Sequence, residues 1–290
     1  MNNLATIHAP DLEPMAGQEY QQLETFYDAK YRIGWFLMNG SPRPSVTPTL
    51  LHDIKSYISG VKREMAATNG EKYDFLVLGS AIEGVFNLGG DLELFSQCVD
   101  TGDRERLLQY AIDCVDIQYQ NLVHYESPIT SISLIQGDAL GGGFEAALSC
   151  NVVIAEKGVK LGLPEVLFNM FPGMGAFSIL SRKIGAAAAE RMILSGKTYA
   201  SDEMFDMGII DILCEPGDGE MAVYQYVRDF NKSRNTRESL REVKDRCNPV
   251  SHQELLDITR IWVDAVFRLG SRDLRMMHHL VRGQNRKMSG

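Results

Sequence analysis

The chain has 290 residues, 44% of them hydrophobic, with five cysteines and a formal net charge of −9. That length fits one large domain with an appendage and can bury a full core, and the acidic balance argues against general nucleic-acid binding. No apolar run reaches membrane-spanning length, and the cysteines form no CxxC pair or Cys/His cluster, so they read as reduced thiols of a cytosolic protein with no metal site.

In chain order, Met1 to Gln22 lacks the basic start and apolar core of a signal peptide and reads as a loosely attached tail. A strand is expected around Arg32 to Met38, followed by a loop holding Gly40, Pro42 and Pro44. Leu50, Leu51, Ile54, Tyr57, Ile58 and Val61 recur at helical spacing. Phe75 to Leu78 reads as a short buried strand, and Gly79 to Gly90 as a glycine-rich loop. Asp91 is placed to cap a helix from Leu92 to Val99, and Arg104 to Val123 continues as a long amphipathic helix. Ser131 to Gln136 is a second strand, Gly137 to Gly143 a sharp turn, Phe144 to Cys150 a helix, and Val152 to Ala155 a third strand. The repeat of strand, glycine turn and helix predicts an α/β fold with parallel connections. After Gly219 the pattern becomes helical: Val223 to Phe230, Arg237 to Arg246 and Ser251 to Leu280. The expected organisation is a tail over 1–22, an α/β core over 23–222 and a helical region over 223–290.

Three segments carry candidate chemistry. Gly141-Gly142-Gly143-Phe144-Glu145 places glycines, which allow close backbone approach, before a helix whose free amides attract negative charge. Glu145 lies in the first turn of that helix; as a capping acid it would need no other role. Asn87-Leu88-Gly89-Gly90-Asp91 repeats the strand–glycine–helix pattern, and two converging N–H groups are what an oxyanion needs. Leu161-Gly162-Leu163-Pro164-Glu165 holds a glutamate directly after a proline, which equally suits an acid at a helix start. The GGG turn is not a dinucleotide fingerprint and no acidic partner supports NAD, so no cofactor is expected. No GxSxG nucleophile elbow is present.

These pieces, in order, resemble the crotonase (enoyl-CoA hydratase/isomerase) superfamily. The carrying stretches are VFNLGGDL, IQGDALGGGFEAALSCNVVIA, LGLPEVLFNMFPGMGAFSILSRKIG and AERMILSGKTYASDEMFDMGIID. The resemblance implies a spiral of ββα turns with a helical C-terminal extension. It also implies an oxyanion hole from the amides of Gly90 and Gly142, with Gly89 a further candidate, and Glu145 and Glu165 as paired catalytic acids. A closer resemblance, carried by FNLGGDLELF, GLPEVLFNMFPGMGA and ITRIWVDAVFRLGSRDLRMMHHLVR, is to the diffusible-signal-factor (DSF) synthases, a bacterial branch of that superfamily. That branch makes cis-2-unsaturated fatty acids, which act as quorum-sensing signals, from 3-hydroxyacyl thioesters on acyl carrier protein. The alternative is a CoA-dependent enoyl hydratase or isomerase of fatty acid metabolism. By the same analogy the chain is expected to be a homotrimer or dimer of trimers, and a sensor-protein contact is known for some DSF systems.

Leu140, Met170, Phe171, Met174 and Trp262 are candidates for an apolar acyl pocket, and core packing would account for them as well. The matching tryptophan of the DSF synthases gives Trp262 the stronger claim. Near the C-terminus Arg268, Arg272, Arg275, Arg282, Arg286 and Lys287 stand against Asp273 alone. Such a basic stretch suits an acidic carrier protein, or a subunit contact.

Overall fold

The computed structural model describes residues 13–14, 19–40, 43–277 and 279. Most of the expected tail, and Arg282, Arg286 and Lys287 of the basic stretch, lie outside the described residues. Two tail residues form β1 (Glu13–Pro14), which pairs antiparallel with β2 (Leu23–Asp28), itself antiparallel to β3 (Ile33–Met38). Thr47 caps α1 (Pro48–Ala67) through a side-chain bond from Leu50 N, with Pro48 at the helix start. The buried face of α1 contains Leu50, Leu51, Ile54, Tyr57, Ile58 and Val61, the set its spacing predicts.

From there the chain repeats one turn: a strand in a large sheet, a short strand in a second sheet, then helix. The first turn is β4 (Phe75–Ser80), β5 (Val85–Asn87), α2 (Leu92–Thr101) and α3 (Arg104–Leu122). The second is β6 (Thr130–Ile135), β7 (Asp138–Leu140) and α4 (Gly142–Ser149). The third is β8 (Val152–Glu156), β9 (Lys160–Gly162), α5 (Ala176–Ile184) and α6 (Ala186–Ser195). Then come β10 (Thr198–Ala200), α7 (Ser201–Asp206), β11 (Ile212–Cys214), α8 (Gly219–Lys232), α9 (Arg234–Cys247) and α10 (His252–Val266). The large sheet runs β1-β2-β3-β4-β6-β8-β11, parallel from β3 onward, and the second runs β10-β9-β7-β5. This is the expected α/β spiral of ββα turns with a helical C-terminal region.

Three sequence expectations change. The loop over 79–90 contains β5, and the turn over 137–143 contains β7. Three-residue strands are too short for an alternating pattern to register. The single helix expected from Ser251 to Leu280 ends at Val266, and the chain is helical again over residues 271–277.

The C-terminal helices are packed into the rest of the fold. From α8, Val223, Tyr224, Val227 and Phe230 cluster with Ile33, Trp35, Phe75 and Val77 of the sheet. From α10, Trp262, Val263 and Val266 cluster with Phe95, Leu107 and Tyr110 of α2 and α3. Among the described residues no helix is long and apolar enough to cross a membrane.

Candidate active site

The site starts from two backbone turns that touch. Gly89 has φ +95°, a conformation that favours glycine. A Cβ added to it would lie 2.9 Å from Leu140 O and 3.2 Å from Gly142 N, and one added to Gly142 would lie 3.4 Å from Gly90 N. The two strand–glycine–helix turns therefore approach with no side chain between them. Gly89 O accepts from Val46 N at 2.8 Å, and Val46 and Gly90 form an isolated parallel bridge. In a trans peptide C=O and N–H point oppositely, so the Gly90 N–H points away from Val46. Gly142 opens α4, where the first amides have no partner within the helix. Gly90 and Gly142 both line one cavity. Gly89 does not serve as an alternative donor, because its N–H is engaged by Asn87 Oδ1 at 2.8 Å.

Two carboxylates line the same cavity. Glu145, 1% exposed, sits one turn into α4. Its Oε1 accepts from Met174 N at 2.9 Å and Ala176 N at 3.1 Å, amides at the start of α5. Glu165, 9% exposed, lies in a short 3₁₀ turn opened by Pro164. Its Oε1 would be 2.6 Å from a Cβ on Gly141, so that glycine makes room for the carboxyl. Glu165 Oε2 is buried without a hydrogen-bond partner. Burial pushes both groups well above the usual carboxylate range. The Met174 and Ala176 amides work against this at Glu145, while the Glu145 charge pushes Glu165 further up. Two interacting buried carboxylates do not ionise together easily, so ionising one raises the cost of ionising the other.

The cavity is narrow and opens to solvent. Its walls are mainly apolar: Phe36, Met38 and Leu78 from the sheet, Leu50, Ile54 and Ile58 from α1. Among the proposed acyl-pocket residues, Met174 and Trp262 line it. The Trp262 ring lies directly against Gly173 and meets Phe95 edge-on at 5.1 Å. Leu140, Met170 and Phe171 are not on the wall; Met170 is buried in the α2–α3–α10 cluster and Phe171 packs at its margin. Gly142, Phe168 and Pro172, one or two residues away, do line the cavity, and side-chain direction in irregular backbone is not readable from composition.

Sequence reading missed the contribution of α3. Tyr110, Cys114 and Gln118, spaced by four, present one helix face to the cavity. Gln118 is buried and its Oε1 has no partner. Beyond it, Tyr125 Oη donates to Asn121 Oδ1 at 2.5 Å and Asn121 Nδ2 donates to Ser149 Oγ at 2.8 Å, forming a polar patch on the wall. The i, i+4, i+8 spacing was visible in the sequence, but it fits an ordinary buried helix face equally well. No group of three or more metal-ligating side chains occurs among the described residues.

Residues 63–257 match the family described as Enoyl-CoA hydratase/isomerase. The chain belongs to that family. A peroxisomal fatty acid beta-oxidation multifunctional protein from Arabidopsis thaliana is 34% identical over 161 residues, covering 56% of this chain but 22% of that protein's length. The chain thus spans under a quarter of that relative. The fold is also that of an enoyl-CoA hydratase from Bacillus halodurans, with TM-score 0.74, 20% identity and coverage of 89% and 99% of the two chains. A human mitochondrial delta3-delta2-enoyl-CoA isomerase gives TM-score 0.74 at 17% identity, with 92% and 99% covered.

The raised carboxyl pKa values also have a consequence for stability. A carboxyl raised on folding holds its proton after the unfolded chain has lost it. Its stabilising contribution is therefore full below the ordinary glutamate value of about 4.3 and is lost as pH rises toward the folded value. Glu165→Gln is expected to raise Tm, and to raise it more at pH 8 than at pH 5, by roughly 2–4 °C per kcal/mol recovered. Thermal melts across that range check it; a Tm gain that is independent of pH would count against a buried, proton-retaining Glu165.

Proposed function

We propose that this chain converts 3-hydroxyacyl thioesters carried on acyl carrier protein into free cis-2-unsaturated fatty acids, by dehydration followed by thioester hydrolysis. The observation that carries the reading is the placement of Glu145 and Glu165, both buried, on one apolar cavity with the Gly90 and Gly142 amides. In the dehydration one carboxylate takes the C2 proton, and negative charge develops on the thioester oxygen. The two amides stabilise that enolate; one such donor is typically worth about 2.7–4 kcal/mol of barrier. As the C3–O bond breaks, the other carboxyl delivers its proton and the hydroxyl leaves as water. In the hydrolysis a carboxylate removes a proton from water as its oxygen bonds to the carbonyl carbon. The same amides hold the tetrahedral oxyanion, and the C–S bond breaks as the carrier thiol takes up the proton. One set of groups serves both steps.

The apolar walls suit an aliphatic chain, with Trp262 and Met174 placed to contact it. The carrier preference rests on the DSF-synthase resemblance and on Arg268, Arg272 and Arg275, which are exposed. The second reading, a CoA-dependent hydratase or isomerase, is favoured by family membership. Products separate the two: release of a free cis-2-enoic acid supports the first, and an acyl-CoA hydration equilibrium with no free acid supports the second.

Glu145→Gln and Glu165→Gln are each expected to lower kcat for dehydration by about 10²–10⁴, with the fold intact by circular dichroism. Mass spectrometry of the released acids reads this directly, and wild-type turnover in both variants would refute the paired-carboxylate reading. Trp262→Phe is expected to shift the product chain-length distribution; an unchanged profile would make Trp262 a packing residue. Raising salt from 50 to 500 mM, about a 3-fold drop in screening length, is expected to raise KM for the carrier-bound substrate more than for a simple acyl thioester. Equal effects on both would remove the basic stretch as a docking surface.

A further inference from the structure

We propose that Tyr110 is the positioning residue that aims the Gly90 amide, so that oxyanion stabilisation depends on a hydroxyl whose own hydrogen bonds go to the protein backbone. The inference rests on the thioester reading of the cavity. Tyr110 lies midway along α3 and is 5% exposed. Its hydroxyl donates to Val46 O at 2.6 Å and accepts from Asp91 N at 3.2 Å. Its one proton goes to Val46 and its oxygen receives the Asp91 amide, so the hydroxyl bonds the protein on both counts.

Those contacts fall on both sides of Gly90. The Gly89–Gly90 peptide is set by Val46 N, which donates to Gly89 O at 2.8 Å. Val46 is itself held through its carbonyl by Tyr110. The following peptide is set by the Asp91 N–H on the same hydroxyl. One oxygen therefore ties the strand segment at Val46 to the helix start at Asp91 and fixes the plane of the donor between them. The ring backs this up: Phe95 meets Tyr110 edge-on at 5.4 Å, and a Cβ on Gly90 would strike Phe95 at 2.6 Å. The loop therefore has little room to shift toward the ring, and the hydroxyl holds it from the other directions. Burial raises the phenol well above its ordinary value, so it stays a neutral donor throughout the working pH range. An oxyanion hole works only if its donors point at the charge before it develops, and this hydroxyl supplies that alignment for one of the two.

The test is Tyr110→Phe, which keeps the ring and removes the oxygen. The donor is displaced rather than deleted, so kcat should fall by about tenfold, less than the roughly 10²–10³ of a removed donor, with KM within about twofold. The discriminating readout is the infrared carbonyl stretch of a bound, unreactive acyl amide analogue carrying a ¹³C carbonyl. In the wild type the stretch should move to lower frequency on binding, and in Tyr110→Phe at least half of that displacement should disappear. Free analogue absorbs at the undisplaced frequency, so the band is read with protein in excess and the analogue fully bound, which keeps partial unfolding from mimicking the result. A variant with the wild-type frequency overturns the proposal, whether kcat is retained or falls through lost stability. If the wild type itself shows no displacement, the oxyanion-hole reading fails, and the positioning role fails with it.

Discussion

The close approach of two strand–glycine–helix turns is the constraint on which the rest of the site depends. Gly89-Gly90 and Gly141-Gly142 touch backbone to backbone, and an added Cβ would crowd the opposite amide or carbonyl. Because nothing stands between them, both turns can border one cavity. The spiral makes the meeting unavoidable. β5 and β7 are parallel neighbours in the small sheet, and each leads directly into its glycine turn. Sheet pairing thus brings the two turns together, while the Val46 contact with Gly89 O orients the Gly90 amide and α4 orients that of Gly142. Glu165 belongs to the same arrangement, since it follows β9, which pairs with β7, and its carboxyl fills the space left open at Gly141.

A second dependence runs through the segment 173–176. Its amides at Met174 and Ala176 hold Glu145, and Gly173 lies flat under the Trp262 ring. The C-terminal helix α10 therefore braces the segment that anchors a carboxyl, while Trp262 also forms part of the cavity wall. A helix that sequence reading treats as an appendage is coupled by packing to the segment that holds Glu145. Arg182 of α5 adds a bidentate ion pair to Glu254 of α10, at 2.9 Å through each oxygen, which ties the two helices at the surface.

What could be read from the sequence follows from range. The Asp91 cap, the α1 face and the long α3 are local: a side chain within three residues of its amide, or a spacing of three and four. The glycine turns and both glutamates were legible because residue type alone limits what such backbone can do. The small sheet was not, since its three-residue strands carry no period of their own and are defined by neighbours far along the chain. The engagement of Gly89 N by Asn87 turned on one side-chain rotation. Leu140, Met170 and Phe171 were chosen for composition, and the wall took other residues of the same segments. Tyr110 was hidden for a different reason. Its spacing with Cys114 is ordinary for a buried helix face, and its hydroxyl gains meaning only once Val46 and Asp91 are known to be neighbours.

The carboxyl pair shows why such a site needs this much support. Burying two acids in an apolar cavity raises both pKa values and costs stability at neutral pH. Donors that fully satisfied both acids would lower that cost, but they would also return the pKa values toward the ordinary range. The structure divides the requirement. Glu145 receives two amide donors, while Glu165 Oε2 receives none. One acid is held by two amides, and the other keeps one buried oxygen without a partner. The stability this forgoes has to come from elsewhere in the fold, and the cavity's surroundings are where it is found: a sheet buried on both faces, and α10 packed over the segment that positions Glu145.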